Sequence, residues 1–153
     1  MALSDNLNIC YNIEALLKSN WTDSNTNYVT PEFVQIINSD SKKYDFRVNK
    51  AMILIHRPTF RIEKNGVEII SKRIRHKVRI DIRVLDKDGE ELFLKIYDEV
   101  IRIFDNNIKN PFDGIQELAY EDEDNQDLSD KNKGLFRILI PIRLINYCVS
   151  RNT

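Results

Sequence analysis

From Lys77 to Val84 the chain reads K-V-R-I-D-I-R-V, an unbroken alternation of charged and β-branched residues. Side chains along a strand point alternately to opposite faces, so Val78, Ile80, Ile82 and Val84 share one face, and Lys77, Arg79, Asp81 and Arg83 share the other. A sheet built on this strand is expected to have one dry face and one charged, wet face. Any function is then expected on that charged face and in the loops, which points to assembly rather than chemistry.

The 153 residues suit a single domain with a real core, so residues 1–153 are read as one unit. A content of 42% hydrophobic and 31% charged residues is that of a globular chain and not a disordered one. The net charge of −1 conceals two blocks of opposite sign. Lys72 to Arg83 holds six basic residues against Asp81, and Glu121 to Asp130 holds six acidic residues with no basic one. Local fields therefore matter more than the total, and the whole chain is not a generic polyanion binder. Cys10 and Cys148 stand near opposite ends in no zinc or redox spacing, and both are read as buried thiols. No apolar run approaches the ~20 residues a membrane span needs. The start M-A-L-S-D-N lacks a basic stretch before an apolar one, so a cytoplasm-like compartment is expected.

Two helices are expected. The first follows a cap at Ser4 or Asp5 and buries Ile9, Ile13, Leu16 and Leu17, ending near Asn20. The second runs from Glu90 to Phe104, with Phe93, Ile96, Tyr97, Val100, Ile103 and Phe104 on one stripe and Lys95, Asp98, Glu99 and Arg102 away from it. Asp88 and Glu91 have the spacing of a capping box at its start.

Trp21 to Thr30 reads as a polar loop, and Pro31 opens a strand through Ile37. The continuous apolar run Met52 to Ile55 suits a strand covered on both faces, ended or bulged at Pro58. Asn65-Gly66 is a hairpin signal joining Thr59–Lys64 to the segment that leads into the basic strand. A short strand is expected from Ile115 to Tyr120 and a long one from Leu135 to Val149, where Pro141 points to an edge or a bulge. The expected fold is α+β: a mostly antiparallel sheet with an N-terminal helix and one amphipathic helix packed on one face.

Catalytic signatures are weak. His56 and His76 have no carboxylate or thiol at a ligand-like spacing, and both read as ordinary strand residues. The acidic run from Asp122 puts Asp127 where a calcium loop needs glycine, so it reads as a solvated hairpin loop. Four unclustered glycines make no phosphate loop. Glu63, Lys64 and Asp81 only faintly match the carboxylate and lysine of metal-dependent nucleases. The expectation is a protein with no enzymatic activity, no catalytic residues, no metal and no cofactor. The basic strand 72–83 also raises a nucleic-acid-binding module as an alternative, against which stands the lack of aromatics between Lys72 and Val84 to stack on bases.

A leading helix, a strand pair, a long strand ending R-I-D-I-R-V, a helix E-E-L-F-L-K-I-Y-D-E-V-I-R-I-F and a hairpin closing on R-I-L-I-P-I-R-L-I follow one another between Asp5 and Val149. This order resembles the tail terminator, or tail completion, proteins of tailed bacterial or archaeal viruses. The resemblance rests on element order and hydrophobic pattern and carries no signature residue. It implies a virion structural protein, assembled in the host cytoplasm, that caps the tail tube as a homo-hexameric ring and joins it to the head and neck. Its partners would be sister copies, the tail tube protein and the head-neck connector protein. The genome would pass through without specific binding, and no membrane would be involved. On this reading Arg73, Arg75, Lys77, Arg79 and Arg83 make subunit or tube contacts. Glu121, Asp122, Glu123, Asp124 and Asp127 belong to a loop that lines the lumen or docks on a neighbouring ring.

Overall fold

The computed structural model describes residues 2–36, 51–65 and 71–149. Among them, two helices and eight strands form an α+β fold with a mostly antiparallel sheet. The order is α1 (Ala2–Asn20), a 3-10 turn (Asp23–Thr26), β1 (Glu32–Ile36), β2 (Ala51–His56), β3 (Thr59–Asn65), β4 (Ser71–Leu85), α2 (Glu90–Asp105), β5 (Lys109–Phe112), β6 (Ile115–Tyr120), β7 (Gln126–Asp127) and β8 (Leu135–Val149).

The spine of the sheet is the antiparallel pair β4 and β8. Each has 15 residues, and they stay in register from Ser71↔Val149 to Leu85↔Leu135. Each then shares its other edge between two short strands. The outer edge of β4 pairs with β3 over residues 71–77 and with β2 over residues 80–84. The outer edge of β8 pairs with β6 over residues 142–145 and with β7 at Leu139 and Ile138. β1 joins β2 in parallel, and β5 closes the far side against β6.

Pro141 was expected at an edge or a bulge, yet it lies in the middle of a central strand. The hydrogen-bond pattern explains why this is tolerated. Within an antiparallel strand a residue's N–H and C=O point toward the same neighbour. The Pro141 carbonyl accepts from Glu121 N at 3.0 Å, so its ring nitrogen also faces that side. There the β6 pairing has just ended at Tyr120↔Ile142, and β7 has not yet begun at Gln126↔Leu139. The missing donor therefore falls in a gap, and the β4 ladder loses nothing.

The alternation in β4 does as expected on one side. Val78, Ile80, Ile82 and Val84 are buried with Ala51, Ile53 and Ile55 of β2 and Phe136, Ile140, Ile142 and Leu144 of β8. Both helices cover this face. α1 contributes Ile9, Cys10, Ile13, Leu16 and Leu17, and α2 contributes Phe93, Ile96, Val100, Ile103 and Phe104. Cys10 is buried, and burial pushes its thiol up to about 11, which leaves it a poor nucleophile.

Four local expectations are corrected. α2 has no capping box: its N-cap is Gly89, with no side-chain cap. A Cβ at Gly89 would stand 2.9 Å from Val84 Cγ1, so the turn from Asp86 closes only around a residue without one. Glu99 does not lie away from the packed side of α2. It is buried and accepts hydrogen bonds from Thr22 N at 2.6 Å, Asn25 Nδ2 at 3.1 Å and Arg102 Nε at 2.5 Å. Trp21 to Thr30 is accordingly no loose loop. The 3-10 turn is tied to α2 by Glu99, Thr26 Oγ1 donates to Val29 O at 2.8 Å, and the Trp21 ring meets Phe33 edge-on at 5.8 Å. The fourth correction concerns strand number, since β5 and β7 add two short strands to the two expected after α2. The Asn65-Gly66 turn lies at the boundary of the described residues, as does the expected strand end at Ile37.

Candidate interaction face of the sheet

The second face of the sheet carries Arg73, Arg75, Lys77, Arg79, Asp81 and Arg83 from β4, Met52, Leu54 and His56 from β2, and Arg137, Leu139, Pro141, Arg143 and Tyr147 from β8. This follows from the registers of the three strands. The face divides into two zones of different character.

The zone around Asp81 is dry. Asp81 is 0% exposed and stands between Leu54 and Leu139 in the ladder. Four hydrogen bonds reach its Oδ2: Arg83 Nη2 at 2.7 Å and Nε at 3.1 Å, Arg137 Nη2 at 3.0 Å, and His56 Nε2 at 3.0 Å. Arg137 Nε adds a fifth, to Oδ1 at 3.1 Å, which makes its fork bidentate across the carboxylate. Burial alone would raise the Asp81 pKa. The hydrogen bonds from His56, Arg83 and Arg137 outweigh burial and hold the carboxyl far below the usual carboxylate range. A carboxylate in that state only accepts, so His56 Nε2 carries the proton. Arg83 is 8% exposed. The expected wet face is therefore corrected here: apolar Met52 and Leu54 directly opposite Arg83 and Asp81 exclude water, and charge is tolerated because it is neutralised in place. Arg83 has little surface to offer a partner.

The zone beyond Arg79 is the accessible one. The acidic loop folds back onto it, pairing Glu121 with Arg75 and Glu123 with Lys77. Partners two residues apart on β4 meet partners two residues apart on the loop, in the same chain direction. Thr59 and Phe60 complete a shallow cleft of about 230 Å³ around these four charged residues. Asp127 Oδ1 accepts from Ser129 N at 2.9 Å and so serves the turn that follows β7. Asp122 and Asp124, the intervening loop residues, stay exposed. Arg79 is exposed as well.

Two features of this zone escaped the sequence reading. Arg143 stands directly across the ladder from Lys77 and belongs to the same basic surface. Its Nε is buried and makes no hydrogen bond. An unpaired buried donor of this kind costs about 1–3 kcal/mol. An aromatic also borders the basic strand, supplied by β8: Tyr147 pairs with Arg73, whereas Phe60 pairs with His76 on the opposite face. Phe60 is 47% and Tyr147 48% exposed, and the Arg73 guanidinium lies 6.0 Å from the Tyr147 ring centre. The signal existed in cross-strand register, which a single strand's sequence does not display.

Among the described residues no cluster of three or more His, Cys, Asp or Glu could hold a metal ion, and no helix is long and apolar enough to cross a membrane. His56 is committed to Asp81. The chain matches no protein-family model and no curated protein sequence.

Proposed function

We propose that this chain is a structural assembly subunit without enzymatic activity, one that closes with sister copies into a ring capping the tail tube of a virus and joining it to the neck. The observation that carries the reading is the unequal treatment of the two sheet faces. Both helices pack on one face, while the Arg79 end of the other presents accessible cations on a rigid 15-residue ladder beside an acidic loop of the same chain. A protomer bearing both signs of charge is suited to head-to-tail contacts, which close into rings. The long β4–β8 pair supplies the stiffness that repeated contacts need. The negative loop residues would repel the phosphates of a passing genome if they faced a lumen.

The direct test is tail length. Particles assembled without the protein should carry overlong tubes that fail to join heads, and adding the purified protein should restore joining. Tails of normal length in its absence would refute the capping role.

A second reading has one observation in its favour. The half-exposed Tyr147 beside Arg73 gives the basic face one stacking surface of the kind that a single-stranded nucleic acid uses. Titration with a labelled single-stranded oligonucleotide separates the two. Tight binding that collapses with added salt supports the nucleic-acid module. Absence of binding at low salt removes it.

A further inference from the structure

We infer that the contact between copies is made by Arg79 and Arg143 of one protomer receiving Asp122 and Asp124 of the next. The inference rests on the ring reading and identifies its chemistry. Most of the basic face is already committed within the chain: Arg75 to Glu121, Lys77 to Glu123, and Arg83 and Arg137 to Asp81. Arg73 lies against the Tyr147 ring, which leaves Arg79 and Arg143. Among the described residues neither forms an ion pair, and the buried Arg143 Nε lacks an acceptor. In the ladder Arg79 faces Pro141 and Arg143 faces Lys77, so the two arginines are diagonal neighbours on one face. Such diagonal positions lie roughly 7–8 Å apart. On β6, the small side chain of Ala119 sits opposite Arg143.

The acidic loop is divided in the complementary way. Glu121 and Glu123 pair with cations of their own chain, while the exposed Asp122 and Asp124 form no ion pair among the described residues. Both halves of an ionic contact thus remain on one protomer, two arginines on the sheet and two carboxylates on the loop. Charge complementarity within the same chain selects a second copy as the occupant. Arg79 and Arg143 lie on β4 and β8, and the aspartates lie on the connection from β6 to β7, so the two halves occupy different elements, as a heterologous contact requires.

The test uses two variants of the full chain and native mass measurement. Arg79→Glu/Arg143→Glu and Asp122→Lys/Asp124→Lys should each lose self-association, by about 100-fold or more, because like charges then face each other. An equimolar mixture should recover it, with the two variants alternating in equal number, since each new contact again joins opposite charges. The single variants Arg79→Glu and Asp124→Lys, at exposed positions, repeat the experiment should Arg143→Glu prevent folding. If both double variants assemble as the unaltered chain does, this contact is wrong while the ring reading stands. The same holds if the folded variants fail to rescue each other. If the unaltered chain forms no oligomer in solution or on tail tubes, the ring reading and the contact fall together. A loss of oligonucleotide binding in Arg79→Glu/Arg143→Glu with unchanged self-association would assign these arginines to nucleic acid instead.

Discussion

Asp81→Ala is expected to destabilise the fold by about 3–5 kcal/mol, the cost of breaking a buried charge group by removing one partner. The carboxylate is fully buried and accepts five hydrogen bonds from His56, Arg83 and Arg137. Without it, two guanidiniums face each other across a dry patch bordered by Leu54 and Leu139. Asp81→Asn keeps the shape but loses the charge, and should recover only part of the difference. The pH dependence has a definite sign. The folded-state pKa is depressed, so the stabilisation is fully present above the unfolded value near 3.9 and is lost as pH falls through the acid range toward the folded value. Urea midpoints for the unaltered chain and Asp81→Asn should therefore differ most at neutral pH and converge below about pH 4. A gap of constant size down to low pH would mean that the ionised carboxylate is not what stabilises this patch.

Phe104→Ala is expected to cost a similar about 3–5 kcal/mol by a different route. Phe104 is 0% exposed on the inner stripe of α2, within the cluster that joins both helices to the sheet. Truncation removes buried apolar surface and leaves a cavity that the rigid β4–β8 ladder cannot collapse to fill. The loss should be nearly independent of pH, which distinguishes it from Asp81. Similar costs, one dependent on pH and the other not, would separate what the charged face and the dry face contribute. A change below about 1 kcal/mol would show that α2 is not anchored on the sheet as described.

The alternation Val78–Ile80–Ile82–Val84 and the stripe Phe93–Ile96–Val100–Ile103–Phe104 were legible because period alone assigns a residue to a face. What covers a face is not a property of period. Alternation with isoleucines puts Asp81 and Arg83 on the charged face but does not say that this part of it is dry. Their burial depends on Met52, Leu54 and Leu139 arriving from other strands, together with Arg137 from a position 56 residues away. Pro141 was misplaced for a related reason. Its tolerance depends on a gap between β6 and β7 that no local rule reports. Helical period puts Glu99 off the apolar stripe of α2, and its burial depends on the turn at Thr22, whose N–H it satisfies. The two opposite charge blocks were visible, but their division was not: four residues pair between the blocks, Arg75 with Glu121 and Lys77 with Glu123, while Arg79, Asp122 and Asp124 do not.

The most direct measurement is the native mass of the purified chain across a range of concentrations and salt. A sheet face that binds sister copies through charge predicts a discrete closed oligomer at low ionic strength that dissociates as salt is added. A monomer at every concentration and salt, alone and with tail tubes, would contradict it.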